Sequence, residues 1–276
     1  MRIEYAKGHG AMNDFVIVSA LDGSPDLAPE EVRLLCERRG GIGADGVLRV
    51  TYGRFVPEWH GDPEVLFMDY HNADGSLAET CGNGLRVFAH HVIETGLVPG
   101  PEVVIATRAG LRTVWRLPDG RYKASMGRVS LSDTTTWTGV SERRFKAVAV
   151  DVGNPHAVAL LRATDSLASL DLSDEPDYDH AVFPQGVNCE FSRAKQPGVV
   201  EMRVYERGVG ETPACGTGVV ATAVAYGYVA GMAGRELRLA VDVPGGRLDV
   251  ELTDSSEAYL IGPAVITAHG VFETDE

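Results

Sequence analysis

A chain of 276 residues, 44% hydrophobic and 23% charged, can bury the core of one large domain or of two ordinary ones. Its formal net charge of −14 argues against nucleic acid or an anionic membrane surface as a partner. Four scattered cysteines, Cys36, Cys81, Cys189 and Cys215, are too few for a disulfide framework at this length and point to a reducing, cytoplasmic compartment.

In chain order, residues 1–20 read as a strand, a Gly-rich turn and a second strand entered through Asn13-Asp14. The short apolar run from Phe15 to Ala20 does not have the form of a signal peptide. An amphipathic helix follows from Pro29 to Arg39, with Pro29 in its first turn and Gly40 as its stop. The G-I-G-A-D-G of Gly41 to Gly46 matches G-x-G-x-x-G, but it follows a helix and precedes a strand, the reverse of a dinucleotide site, and is read as a loop. Val65 to Tyr70 is a strand feeding H-N-A-D-G-S and then Cys81. His90 and His91 are adjacent on the helix after Cys81, share no face and have no third ligand spaced to join them, so no metal site is expected there.

Three short strands follow between Val103 and Met126, and the polar residues from Ser130 to Thr138 read as a connector. Phe145 to Val152 is a strand ending in G-N-P-H, and Asp165 to Asp179 reads as an acidic, solvated surface. G-V-N-C-E-F places Asn188 at a strand start, with Cys189 as core; Glu201 to Glu206 feeds R-G-V-G-E-T and Cys215. A hairpin over Pro244-Gly245-Gly246 and a segment from Tyr259 to Val271 close the chain. The uncharged stretch Thr217 to Gly234 approaches the length of a membrane span, but it is rich in Ala and Gly and fits a helix crowded by strands better.

Two stretches share one pattern. E-T-C-G-N-G-L-R at Glu79 to Arg86 and P-A-C-G-T-G-V-V at Pro213 to Val220 each place a cysteine before Gly-x-Gly and a mostly uncharged helical run. A thiol at a helix N-terminus faces unpaired N–H groups and the positive end of the helix dipole, which favours the thiolate. The glycines let the backbone approach a ligand, and their N–H groups suit a carboxylate. Together with the Asn-bearing strand ends this is a duplication, two barrel-like α+β domains facing each other, each with strands around one apolar helix. Two such thiols suit proton transfer at carbon, one removing a proton from one face and the other supplying one to the opposite face. Asn13, Asn72, Asn83, Asn154, Asn188, Glu206 and Arg207 are the polar side chains ranged around them. A non-enzymatic redox or metal-binding pair is the alternative from a different class.

The motifs G-A-M-N-D-F, N-A-D-G-S-x-A-E-T-C-G-N-G-x-R, G-N-P-H, G-V-N-x-E-F and Y-E-R-G-V-G-E-T-x-A-C-G-T-G, spread from Gly10 to Gly218, resemble those of the diaminopimelate epimerases. The resemblance implies a cofactor-independent, cytoplasmic isomerase that interconverts LL- and meso-2,6-diaminopimelate in lysine and cell-wall synthesis. It implies Cys81 and Cys215 as the acid/base pair and Asn13, Asn72, Asn154, Asn188, Glu206 and Arg207 as substrate contacts. Gly82-Asn83 and Gly216-Thr217 are the implied backbone cradles for the reacting carboxylate, and His156 and Glu206 the groups that tune the cysteines. It implies pseudo-symmetric domains, 1–124 with 265–276 returning to it and 125–264, with the active site in the cleft between them. The expected partners are the small-molecule substrate and a second copy in a homodimer. A proline-racemase-like enzyme is the nearest rival. Many members of the family carry Gln where this chain has Gly46, so a contact to the far end of the substrate is expected to be missing or replaced.

Overall fold

The computed structural model describes residues 2–274. The chain divides into two compact units, Met1–Ala124 with Pro263–Glu276, and Ser125–Gly262. The first contains β1 (Arg2–Gly10), β2 (Asn13–Ser19), α1 (Pro29–Cys36), β3 (Gly46–Tyr52), β4 (Leu66–Asn72), α2 (Gly82–Glu94), β5 (Glu102–Thr107), β6 (Gly110–Arg116) and the start of β7 (Tyr122–Arg128). The second contains β8 (Ser130–Val140), β9 (Arg143–Asp151), β10 (Pro155–Leu161), β11 (Asp177–Tyr178), β12 (Asn188–Gln196), β13 (Val199–Glu206), β14 (Gly210–Thr212), α3 (Gly216–Val229), β15 (Leu237–Val243), β16 (Gly246–Leu252) and β17 (Glu257–Gly262). A last strand, β18 (Val265–Glu273), belongs to the first unit.

Strand pairing repeats from one unit to the other. In the first, β18 pairs antiparallel with β1 and β1 with β2; β2 runs parallel to β3, β3 antiparallel to β4, β4 parallel to β5, and β5, β6 and β7 form a meander. In the second, β8, β9 and β10 are antiparallel neighbours, β10 runs parallel to β12, β12 antiparallel to β13, β13 parallel to β15, and β15, β16 and β17 form the meander. Each unit is therefore one strongly curved sheet around one helix, an α+β fold duplicated in sequence.

The sequence pattern explains why each helix is enclosed. In β2 the apolar residues Phe15 to Val18 run without alternation, and in β3 Val47, Leu48 and Val50 flank a buried Arg49, as strands covered on both faces require. Phe15, Ile17, Leu48 and Val50 pack with Leu85, Phe88 and Val92 of α2. Val16, Val18 and Val47 point the other way, against Val32, Leu35 and Cys36 of α1. Full burial of such side chains contributes ~1.5–3 kcal/mol each. The helix α3 is apolar all round, with Val219, Ala221, Ala223 and Ala225 fully buried, so strands cover its body on all faces, while Tyr228 and Val229 of its last turn are exposed. Among the described residues no helix is long and apolar enough to cross a membrane.

Some elements differ from the sequence reading. The first helix ends at Cys36, not Arg39, because Glu37 leaves the helical region and its carboxylate turns back onto the N–H of Arg39. Residues 130–138 are strand rather than connector: their Thr side chains alternate, with Thr136 and Thr138 buried. The acidic segment 165–179 is not simply solvated, since Leu167, Leu170 and Leu172 pack with Phe183 and Phe191. The closing segment is two strands, broken at Pro263-Ala264.

Candidate active site

The strand ends bring polar residues to one edge of each sheet. In the first unit β2 starts at Asn13, β3 starts at Gly46 beside Phe15, and antiparallel β4 finishes at Asn72 opposite Gly46. In the second, Asn154 immediately precedes β10, His156 pairs with Asn188 at the start of β12, and β13 ends at Glu206. Both helices begin at this edge, each with a cysteine as its N-cap, Cys81 on α2 and Cys215 on α3.

Around Cys81 the contacts form a connected chain. The Cys81 thiol donates to Asn13 Oδ1 at 3.6 Å and its sulfur accepts from the Gly84 N–H at 3.4 Å. Asn83 Nδ2 donates to the same Asn13 oxygen at 3.1 Å, and Asn13 Nδ2 donates to Asp45 Oδ2 at 2.7 Å. Asp45 is held in turn by Arg38 at 2.7 Å. The first-turn N–H groups of α2 have no carbonyl partners within the helix, and that of Gly84 is met by the Cys81 sulfur. Asn72 is drawn into its own turn, its side chain donating to Ser76 Oγ at 3.0 Å, so the structure brings Asn13, Cys81, Gly82 and Asn83 together and holds Asn72 apart from that network at the same sheet edge.

Around Cys215 the same layout carries different chemistry. Asn154 Nδ2 donates to Thr217 Oγ1 at 3.3 Å, as Asn83 bonds Asn13 in the first unit, and Thr217 Oγ1 lies 3.4 Å from the Cys215 sulfur. His156 is completely buried, with Nε2 2.9 Å from Asn154 Oδ1 and Nδ1 2.7 Å from Glu190 Oε1. Glu206 accepts from Thr212, and Asn188 Oδ1 accepts the N–H of Arg207 at 2.9 Å. Arg207 bends back to donate to Gln185 O at 3.0 Å. Burial, then the Glu206 and Glu190 carboxylates, push the Cys215 thiol well above its ordinary value. These effects act against the helix N-terminus, which favours the thiolate.

Glu190 is a residue the sequence reading passed over. It is fully buried and lies against the first turn of α3: a Cβ on Gly218 would come within 2.6 Å of its Oε1. Burial pushes its carboxyl up, against the charge of and hydrogen bond from His156. The alternation in N-C-E-F-S was the available signal: with Cys189 and Phe191 turned into one apolar cluster, Asn188 and Glu190 must share the opposite face.

Gly46 leaves no open gap where it stands. A Cβ there would meet His71 O at 2.5 Å and a Tyr70 ring carbon at 2.6 Å. Elsewhere in this unit Asp26, Asp69 and His71 converge, but Arg108 reaches Asp69 at 2.7 Å and Arg49 at 3.3 Å, so the acidic charge there is already met by guanidinium groups.

Residues 5–132 and 148–267 match the sequence profile of the diaminopimelate epimerase family. A diaminopimelate epimerase of Streptomyces coelicolor is 43% identical over 99% of this chain and 96% of its own length. The corresponding protein of Thermobifida fusca is 45% identical over 97% of both chains. The chain belongs to the diaminopimelate epimerase family. Solved structures carry the same fold at low identity. A PhzF-family phenazine biosynthesis protein of Bacillus anthracis has a TM-score of 0.73 at 17% identity, covering 99% of this chain and 100% of that one. A hydroxyproline epimerase of Agrobacterium vitis has 0.68 at 14%, covering 98% and 92%. Both cysteine-capped helices lie in the matched segments rather than in an insertion.

Proposed function

We propose that the chain interconverts LL- and meso-2,6-diaminopimelate by a two-base proton transfer at the α carbon, with Cys81 and Cys215 as the two bases. The observation that carries this reading is the repeated layout of a cysteine N-cap, a Gly-x-Gly first turn and an Asn bonded to the residue two beyond the cysteine. Inversion at carbon needs a base on one face and an acid on the other, and a thiol can serve as either near neutrality. One thiolate takes the α proton while the other thiol delivers its proton to the opposite face, so no electrons leave the substrate and no redox partner is consumed. The charge that develops on the substrate needs fixed N–H donors aimed at its carboxylate; the Gly82-Asn83 and Gly216-Thr217 turns are suited to supply them.

In this reading Asn13, Asn72, Asn154, Asn188, Glu206 and Arg207 contact the substrate, and His156 and Glu206 set the proton affinity of Cys215. The product feeds lysine and peptidoglycan precursor synthesis. A cytoplasmic location is supported by the four free cysteines. A homodimer is part of the same reading, and light scattering on the purified protein tests it.

The deciding experiment is incubation with meso-diaminopimelate in heavy water, followed by chiral analysis of the products and of their deuterium content. LL-isomer carrying deuterium at the inverted carbon is the expected product. Replacing either Cys81 or Cys215 by Ser should lower the rate by about 10² or more with circular dichroism unchanged. Near-normal turnover in either variant removes that cysteine from the mechanism.

A further inference from the structure

The two cysteine helices superpose in sequence, C-G-N-G-L-R on C-G-T-G-V-V, and the one position in these stretches where they differ in charge is buried in both. Arg86 of α2 is fully enclosed, yet it forms no ion pair with a carboxylate among the described residues. Its guanidinium donates to Pro263 O at 3.3 Å, Gly82 O at 3.1 Å and Asn83 Oδ1 at 2.8 Å, all neutral acceptors. A buried guanidinium with no counter-charge is costly. Burial pulls Arg86 down to about 10, and the one ionisable group that pushes it back up is Cys81. The attraction is mutual, because a cation that gains from a thiolate favours that thiolate equally.

The second unit carries the opposite arrangement. Val220 takes the place of Arg86 and is fully buried. Beneath the second glycine of α2 a Cβ would meet Leu48 at 3.3 Å and Phe15 at 3.7 Å; beneath that of α3 it would meet Glu190. Parallel pairing puts Phe15 two residues from the partner of Leu48 and His156 two from the partner of Glu190. An apolar floor plus a cation at Cys81 thus corresponds to a His–Glu floor without a cation at Cys215.

We propose that the buried Arg86 guanidinium is the counter-charge that holds Cys81 as the thiolate of the resting enzyme, leaving Cys215 as the thiol. This rests on the reading of the two cysteines as the acid–base pair and adds which one starts deprotonated. Ionisation of Cys81 gives up its bond to Asn13, keeps the Gly84 N–H and gains the attraction of Arg86. The other charged groups around α2 are occupied elsewhere: Lys7 and Arg38 with Asp14, and Asp45 with Arg38. His90 answers to Glu94 and Arg116, and His91 to His269 and His90. At Cys215 the facing groups are Glu206, Glu190 with His156, and the Thr217 hydroxyl. The isomer whose α-hydrogen meets Cys81 therefore finds the enzyme ready. After it reacts, Cys81 holds the proton and Cys215 has lost one, and return of a proton to Cys215 with loss of one from Cys81 restores the resting form. Arg86 is a positioning residue here, acting only through Cys81.

The test is alkylation of the substrate-free enzyme by iodoacetamide as a function of pH, resolved by peptide mapping. The pH midpoint at each cysteine reports ionisation, and the plateau rate reports access. Cys81 is expected to have its midpoint below that of Cys215. In Arg86→Met the Cys81 midpoint should rise by about one unit, cutting its alkylation rate about tenfold below the midpoint, since an opposite charge nearby is worth ~1–3 units. Arg86→Lys should restore most of that shift. A wild-type midpoint for Cys215 at or below that of Cys81 overturns the proposal. So does an unmoved Cys81 midpoint in a folded Arg86→Met. If Arg86→Met does not fold, the wild-type order and Arg86→Lys decide it, and a Lys variant whose Cys81 midpoint rises by more than one unit counts against it. No substrate enters this measurement, so its failure leaves the epimerase assay standing, and failure of that assay leaves the order of titration readable.

Discussion

Arg86 and Val220 stand at the same place on their helices, each in the second turn after a capping cysteine and each completely enclosed. The duplication kept the backbone and changed the charge. Two thiols in identical settings would share one proton affinity and no preferred resting state. The substitution of a cation for an aliphatic residue, with carboxylates on the opposite side of the comparison, separates them.

Glu190 is the counterpart of that asymmetry. Glu190→Gln preserves shape and a hydrogen-bonding oxygen for His156 while removing the acid from beneath α3. The alkylation midpoint of Cys215 is expected to fall by about one unit, as loss of a nearby like charge implies, and turnover to fall about tenfold or more as the acid partner is mistuned. A Cys215 midpoint that stays put would take Glu190 out of the site's electrostatics.

Gly46 gives a stability prediction. Gly46→Gln introduces the residue that the family resemblance leads one to expect there, but its Cβ meets the His71 carbonyl, a backbone atom that cannot rotate away. Forced overpacking costs ~1–3 kcal/mol, to be read as a lower urea midpoint with the slope unchanged. A variant as stable as the parent would show that the edge of β3 yields more easily than its packing implies.

His71 makes the first unit's stability depend on alkaline pH. Burial alone would depress the imidazole, but the Asp26 and Asp69 carboxylates, 3.4 and 3.3 Å from its Nε2, overcome it and hold it at about 9, above an ordinary 6.5. Because the folded value is raised, the stabilisation is complete below about 6.5 and is lost as pH rises toward about 9. Asp26 is half exposed and its share is screened, so the expected loss is on the order of 2 kcal/mol. Asp69 works at the other end: burial raises it, His71 and Arg108 hold it at about 2, and its contribution is lost as pH falls from about 4 to about 2. Urea melts of His71→Gln between pH 6 and 9.5 should show a flattened alkaline limb. A limb as steep as the parent's would assign that loss to other groups.

The cysteine-capped helices were legible because their signal is local: a cysteine, two glycines and an uncharged run specify both a cap and a buried helix. The strand ends bearing Asn13, Asn154 and Asn188 were legible for the same reason. What escaped depended on partners distant in sequence. Glu190 reads as an ordinary strand glutamate until β10 is laid parallel to β12 and sets His156 on the same floor. Arg86 reads as a helix residue with a solvated charge until Pro263, 177 residues later, closes over it. The strand from Ser130 to Val140 was hidden by its Ser, Thr and Asp content, which describes a loop unless a neighbouring strand supplies the ladder. At Cys215, helix position alone predicted a thiolate-prone group; burial, and then the carboxylates of two other strands, push the thiol the other way.

The strand β18 has a consequence for how the molecule is made. Arg2 lies opposite Glu273 in the register, and β1 holds β18 along most of its length. Residues of the second unit follow one another without interruption, whereas the first unit recruits its final strand from the far terminus. During synthesis the second half can close as soon as it leaves the ribosome, while the half translated earlier waits with β1 unpaired along one edge. The strand made first is thus among the last to be paired, and loss of β18 would leave its defect at β1.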